Sequence, residues 1–360
     1  MSFAELDFPL RDHRGDELVA HLRARADETD RAARWPAEQL RACAASGLLQ
    51  WFAPPPLLAG RADLQPTILR TLTRLASGCL TTAFCLTQPA GVISRVFAAD
   101  NEQLKQRLLP DLIAGRTFGS VGIAQLTTSR RHVQPVMRAT ELPNGAYQLD
   151  GVIPWVTGGP HADWIITGAV LDDGRQLLGV LPTKRPGVVV EPAAEMVGLT
   201  ATATGPVRCD AVILEPEWLL APVVHDVLKH GKGAGTGGLQ TSALALGTSL
   251  AALDFLADEA NRRDDLKPIV AELREQWSQV DHALIDSLAG RPDAVPSDEI
   301  RHRANGLALR SAQAALAAAK GSGYVVGHPA GRWCREALFF LVWSCPQPVV
   351  NATLCELAKR

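Results

Sequence analysis

The chain has 360 residues, 47% hydrophobic and 21% charged, which is length and apolar content enough for two or three domains and a large core. Its 36 basic and 38 acidic residues leave a formal charge of −2, and no long basic run stands out, which argues against nucleic acid or an anionic membrane as main partner. Seven scattered cysteines without a CxxC pair, and nine histidines without an HExxH or HxH pattern, argue against a disulfide framework and a metal site.

The opening MSFAELDFPLRDHRGDEL has neither a basic nor an apolar signal region, so no signal peptide is expected, and the thiols suit a reducing cytoplasm. Residues 1–117 read as a helical domain. DELVAHLRARADETDRAA and DNEQLKQRLLPDLIAG place apolar residues at i, i+3, i+4 spacing; Asp100 or Asn101 caps the second run and Gly115 ends it. Between them, WFAPPPLLAGRADLQP reads as a Pro-rich loop. The apolar stretch from Leu75 to Ser94 carries Ser77, Thr81, Thr82, Thr87, Gln88 and Pro89, which are costly in a bilayer, so it reads as buried helix.

Residues 118–222 change to short β-branched runs broken by turns. AYQLDGVIPWV predicts a hairpin turning at Asp150-Gly151, and DWIITGAVL, QLLGVLP, GVVVEP and CDAVILEP follow at spacings typical of an antiparallel barrel or sandwich. Residues 223–360 return to long helical runs suited to an antiparallel bundle, giving an α+β fold with a central β domain. GKGAGTGG lacks the Lys-Ser/Thr of a phosphate loop and reads as a turn before the helix at Leu239; there is no GxSxG elbow for a hydrolase. His225 and His230 fall in the loop before the bundle and read as surface residues.

Six segments in this order resemble the acyl-CoA dehydrogenase family. They are WPAEQLRACAASGL, EQLKQRLLPDLIAGRTFGS, AYQLDGVIPWVTGGPHADWIITGAV, GLTATATGPVRCDAVILEPEWLL, ALGTSLAALDFLADEANRR and GSGYVVGHPAGRWCREA. The third is the most specific, being similar to the family's "Y-x-L-N-G-x-K-x-W-I-T-N-G-x-x-A-D". The resemblance implies an N-terminal helical domain, a β domain and a C-terminal four-helix bundle, with bound FAD (or FMN), a small-molecule substrate and a homodimer or homotetramer. The very apolar LFFLVW run near the C-terminus also suits association.

Flavin needs a flat apolar wall and hydrogen bonds that orient its ring. By resemblance Trp155 packs on the isoalloxazine and Thr157 bonds near its reactive nitrogen; read locally, the same residues are a core aromatic and an edge-strand polar group. AQLTTSRR stands where the family has "T-E-P-G-A-G-S-D", so Thr127, Thr128 and Ser129 are implied phosphate donors. Arg130 and Arg131 there are either an anion grip or a solvated pair. Arg262 matches the Arg that reaches a neighbouring subunit's cofactor, or belongs to a surface charge run, while Gly321 of KGSGY belongs to the turn that approaches a partner's flavin. Lys320 replaces a Gly of that turn.

Desaturating an acyl-CoA thioester requires a carboxylate to take the α-proton in a dry pocket. The family's "R-D-A-x-x-x-x-I-Y-E-G-T" corresponds to REALFFLVWSCP, where Ser344 takes the Glu position and cannot act as a base without a partner of its own. The alternative base position falls within Thr236 to Thr241, which holds no carboxylate. Glu336 takes the place of the structural Asp beside Arg335 and reads as an ion-pair partner. The leading expectation is therefore a flavin-dependent oxidoreductase of monooxygenase type, with LFFLVW lining a closed pocket. Two alternatives stand beside it: an acyl-CoA dehydrogenase with a displaced base, and a cofactor-free subunit kept for assembly, which the altered diphosphate motif and Lys320 favour.

Overall fold

A computed structural model describes residues 13–54, 60–127, 136–230, 238–343 and 345–358. The first helical region comprises α1 (His13–Ala32), α2 (Ala37–Ala45), α3 (Leu64–Gly78), α4 (Leu80–Ala98) and α5 (Glu102–Ile113). Helix α5 begins where the sequence says it should: Asn101 accepts from the backbone N–H of Leu104 at 3.0 Å. The apolar stretch Leu75–Ser94, expected as one buried helix, is divided between α3 and α4. Cys79 is extended there (φ −155°, ψ 108°) and its Sγ caps the N–H of Thr82. Helix α1 crosses at this break, where a Cβ on Gly78 would stand 2.8 Å from the carbonyl oxygen of Val19.

The β region holds β1 (Gly119–Gly122), β2 (Met137–Glu141), β3 (Tyr147–Val156), β4 (Trp164–Val170), β5 (Gln176–Pro182), β6 (Val188–Val190) and β7 (Gly205–Leu214), with the short α6 (Ala124–Thr127) after β1. They form one sheet in the order β1-β4-β2-β3-β7-β6, with β5 paired to β4. Most pairings are antiparallel as expected, but β1 and β2 run parallel to β4, so the sheet is mixed. The long excursion through β3 before β4 supplies the connection that parallel neighbours require.

Asp150-Gly151 is not a turn, contrary to the sequence expectation. Strand β3 runs straight through it, and the β2–β3 hairpin closes at Asn144-Gly145, with Gly145 at φ 79°. Asp150 instead faces two β7 residues, Asp210 and Ala211, across a register shift between Leu149 and Gly151, and its carboxylate accepts from the Ala211 N–H at 2.7 Å. Gly151 (φ 133°) is required by crowding, since a Cβ there would lie 2.1 Å from the carbonyl oxygen of Val136.

The C-terminal region contains the short α7 (Val227–His230) and then α8 (Leu239–Ala260), α9 (Lys267–Leu288), α10 (Ser297–Gly323) and α11 (Pro329–Val342), which pack as the expected four-helix bundle; α12 (Gln347–Leu357) lies against α10 and α11. Helix α8 is long and apolar enough to cross a membrane by length and composition, but 72% of its most apolar window is buried in protein. All seven cysteines are free thiols.

A buried charge cluster ties α1 to α11. The Arg332 guanidinium donates to both oxygens of Glu336 at 3.1 Å and to Asp27 at 2.7 Å, while Arg335 pairs with Asp30 at 2.5 Å. Glu336 is therefore an ion-pair partner as expected, and its partner is Arg332, one helical turn away. Burial pushes the Glu336 carboxyl above its ordinary range, with Arg332 opposing that shift. Removing one partner of such a pair strands the other in a dry site. Arg332→Ala is expected to cost about 3–5 kcal/mol at pH 7. Arg332 opposes the rise of Glu336, so without it the folded carboxyl is raised further than in wild type, binds its proton more readily, and the variant regains more stability than wild type as pH falls. Melting of wild type and variant between pH 7 and pH 5 is expected to show a shrinking deficit; a constant one would contradict this account.

Candidate functional site

Strand β3 delivers Trp155, Val156 and Thr157 to one end of the sheet. Trp155 leaves its indole 47% exposed, while Val156 and Thr157 are buried. The chain then turns at Gly158 (φ 68°), where a Cβ would stand 2.6 Å from the ring of Trp35 and 2.8 Å from that of Phe118. Trp35 packs edge-on to Phe118 and stacks on His161 at 4.5 Å, so the helical region presses directly on this turn. Asp163 accepts from the Phe118 N–H at 3.0 Å and anchors the chain just before β1.

Thr157 is fixed from two sides. Ser120 on β1 donates to its carbonyl at 2.7 Å, and Thr204 on the approach to β7 donates to its hydroxyl at 3.1 Å. Thr202 lies 2.8 Å from the Thr204 hydroxyl. Because Thr204 spends its one proton on Thr157, Thr202 must be the donor to Thr204. The relay thus runs Thr202 to Thr204 to Thr157, and leaves the Thr157 proton as its outlet. Sequence reading placed Thr157 and missed the other two; the repeated threonines of TATATG were the only local signal.

Helix α4 connects this end of the sheet to an aromatic cluster. Gln88 accepts from the Val121 N–H of β1 at 3.4 Å. One helical turn earlier, Phe84 meets Phe339 and Trp343 from the C-terminal end of α11 at centroid distances of 4.8 and 4.9 Å, and Trp343 stacks on Phe339 at 5.4 Å. The LFFLVW run thus contributes an aromatic wall. Ser344 itself lies outside the described residues.

Of the segment expected to hold phosphate, Ala124–Thr127 forms α6 and folds down on the sheet. Gln125 Nε2 donates to the carbonyls of Gly122 (3.2 Å) and Gly168 (2.9 Å) and to the Thr167 hydroxyl (3.0 Å), while its buried Oε1 has no hydrogen-bond partner among the described residues. Thr127 closes α6; Thr128, Ser129, Arg130 and Arg131 lie outside the described residues. Arg262 is exposed beyond the C-terminus of α8. Neighbouring Arg263 donates to the Ala318 carbonyl at 3.0 Å, which brings Arg262, Lys320 and exposed Gly321 to the same end of the bundle. Tyr324, Val325 and Val326 are also exposed there, at 87%, 63% and 85%.

The chain has the acyl-CoA dehydrogenase-like fold. It superposes over 100% of its length on 99% of a glutaryl-CoA dehydrogenase from Mycobacterium smegmatis solved in complex with FADH2, with a TM-score of 0.77 and 18% identity. It matches a nitrososynthase from Micromonospora carbonacea var. africana over 99% of this chain and 97% of that one, with a TM-score of 0.78 and 20% identity. In sequence it is 25% identical over 209 residues to HsaA, the oxygenase subunit of a flavin-dependent monooxygenase from Rhodococcus jostii (strain RHA1). That alignment takes in 57% of this chain and spans only 50% of the relative. No protein-family model matches the chain.

The half-exposed indole separates a platform from a core aromatic. Trp155→Ala is expected to lower unfolding stability by less than about 1 kcal/mol, whereas buried Trp51→Ala should cost about 3–5 kcal/mol. Urea denaturation of both variants measures this, and comparable losses would make Trp155 a core residue.

Proposed function

We propose that this chain is a flavin-dependent oxidoreductase of monooxygenase type that acts on a small aromatic or similarly apolar molecule. The observation that carries the reading is the end of α11, where a base for α-proton abstraction would be needed. The described side chains there are Phe339 and Trp343, packed on Phe84, and the carboxylates of α11 and α1 nearest in sequence are engaged with Arg332 and Arg335. The similarity to the oxygenase subunit from Rhodococcus jostii supports the same chemistry.

The residues present suit a flavin. Trp155 offers an uncovered aromatic face, Thr157 ends a relay with a proton to give, and Gln125 Oε1 is a buried acceptor lacking a donor, complementary to a pyrimidine N–H. A bound reduced flavin supplies two electrons that split dioxygen, one oxygen atom going to the substrate and the other leaving as water. The chain's part is to hold the ring on Trp155, to donate a hydrogen bond from Thr157, and to exclude water with Phe84, Phe339 and Trp343. Thr127, Thr128 and Ser129 are assigned to phosphate. Arg262 and Gly321 are assigned to a neighbouring subunit's cofactor in a homodimer or homotetramer, whose contact would use the apolar Tyr324–Val326 surface. FAD is favoured over FMN because the family resemblance assigns the segment from Thr127 to Ser129 to a diphosphate. Ser344 is assigned no proton-transfer role, and a cytoplasmic setting is proposed.

The test mixes purified protein with FAD or FMN, oxidised and dithionite-reduced, and follows binding by absorbance and fluorescence. Oxygen uptake that depends on externally reduced flavin and a small phenol is the expected result, with Trp155→Ala weakening flavin binding about tenfold, or 1.4 kcal/mol. Anaerobic bleaching of bound flavin by an acyl-CoA would establish a dehydrogenase with a displaced base instead. Failure to bind any of the four flavin forms would leave a cofactor-free subunit.

A further inference from the structure

Arg301, on α10, is 2% exposed, yet it forms no ion pair among the described residues. Its Nε donates to Asn305 Oδ1 at 3.0 Å and one amino group donates to the Trp343 carbonyl at 3.0 Å. The other amino group, Nη1, is buried without a hydrogen-bond partner among the described residues. Asn305, equally buried, donates to the Phe340 carbonyl at 2.8 Å. Burial pulls the Arg301 guanidinium down to about 10, against an opposing contribution from the nearby Cys345 thiol. A methionine would fill the same volume without desolvating a charge, so on packing grounds the arginine is a poor choice.

What the pair holds accounts for it. The last carbonyls of a helix lack intrahelical donors and carry partial negative charge. Arg301 and Asn305 satisfy two of them at the end of α11, where the chain leaves the helix at Trp343 (φ −81°, ψ 122°). That exit sets the position of the Trp343 ring over Phe339 and against Phe84. We propose that Arg301 and Asn305 are positioning residues that fix the end of α11, and through the Trp343 indole set which substrates the aromatic wall admits. The substrate part rests on the monooxygenase reading; the clamp itself does not.

Arg301→Met, Arg301→Lys and Asn305→Leu separate the two. Full-length Arg301→Met is expected to melt within about 3 °C of wild type, because a lost clamp and a relieved desolvation offset one another. Amide hydrogen exchange over residues 339–343 should accelerate about tenfold in Arg301→Met and Asn305→Leu. Arg301→Lys, whose ammonium can still serve one carbonyl, should fall between. FAD affinity should be unchanged in all three, while affinity for the probe 4-nitrophenol drops at least about fivefold in Arg301→Met. Unchanged exchange at 339–343 overturns the proposal. So does faster exchange spread over the whole chain with a lowered melting temperature, which marks Arg301 as a general stabilising element. If wild type binds FAD but not 4-nitrophenol, the aromatic-substrate reading and the selective role both fall, while the exchange result still decides the clamp.

Discussion

The two helical regions meet backbone to backbone at Gly247, and the geometry of the site depends on that contact. A Cβ at this position of α8 would stand 2.3 Å from the Thr73 carbonyl oxygen and 2.5 Å from the Ala76 methyl of α3. The Thr73 hydroxyl then bonds across to the Ala243 carbonyl at 3.1 Å. With α3 pinned to the bundle, the break at Cys79 sets the direction of α4. Helix α4 carries Phe84 to the aromatic cluster, and Gln88 and Gly91 to β1, where Gly91 approaches Val121. One close approach between small residues therefore fixes both the aromatic wall and the strand that braces Thr157.

Helix α11 divides its labour along its length. Its first half spends Arg332, Arg335 and Glu336 on each other and on α1, so their charges are neutralised inside the fold. Its second half presents Phe339 and Trp343 to Phe84. A desaturating enzyme needs a free carboxylate beside its reacting carbon, and among the described residues Asp27, Asp30 and Glu336, the acids that meet at this helix, are committed to guanidinium groups. Oxygen transfer is therefore proposed in place of proton abstraction.

Features set by local chemistry were legible in the sequence. The Asn101 cap, the Gly115 stop and the long bundle helices follow from residues within a turn or two of each other. The hairpin was not, because Asn144-Gly145 and Asp150-Gly151 carry the same turn signal six residues apart. What decides between them is the distant Ala211 N–H, which claims the Asp150 carboxylate. Thr202 and Thr204 were hidden for a similar reason, since β3–β7 pairing alone brings them to Thr157. The partner of Glu336, left unnamed by the sequence reading, follows from i, i+4 spacing on a helix, which points to Arg332.

Lys320 shows how substitution and backbone shape part company. In the sequence, a lysine in place of glycine reads as the loss of a turn and favours a cofactor-free subunit. In the structure Lys320 adopts φ 55° and ψ −146°, close to a region that is essentially glycine's own and costs other residues about 1–3 kcal/mol. The surroundings impose that path: Arg263 holds the Ala318 carbonyl, the Ser322 hydroxyl bonds back to Ala319, and the Tyr324 N–H bonds to Gly321. The turn survives the substitution because its neighbours determine it. What lysine changes is charge, setting an exposed ammonium beside Gly321 at the end of the bundle that also carries Arg262. The altered residue thus no longer argues that the turn has been abandoned.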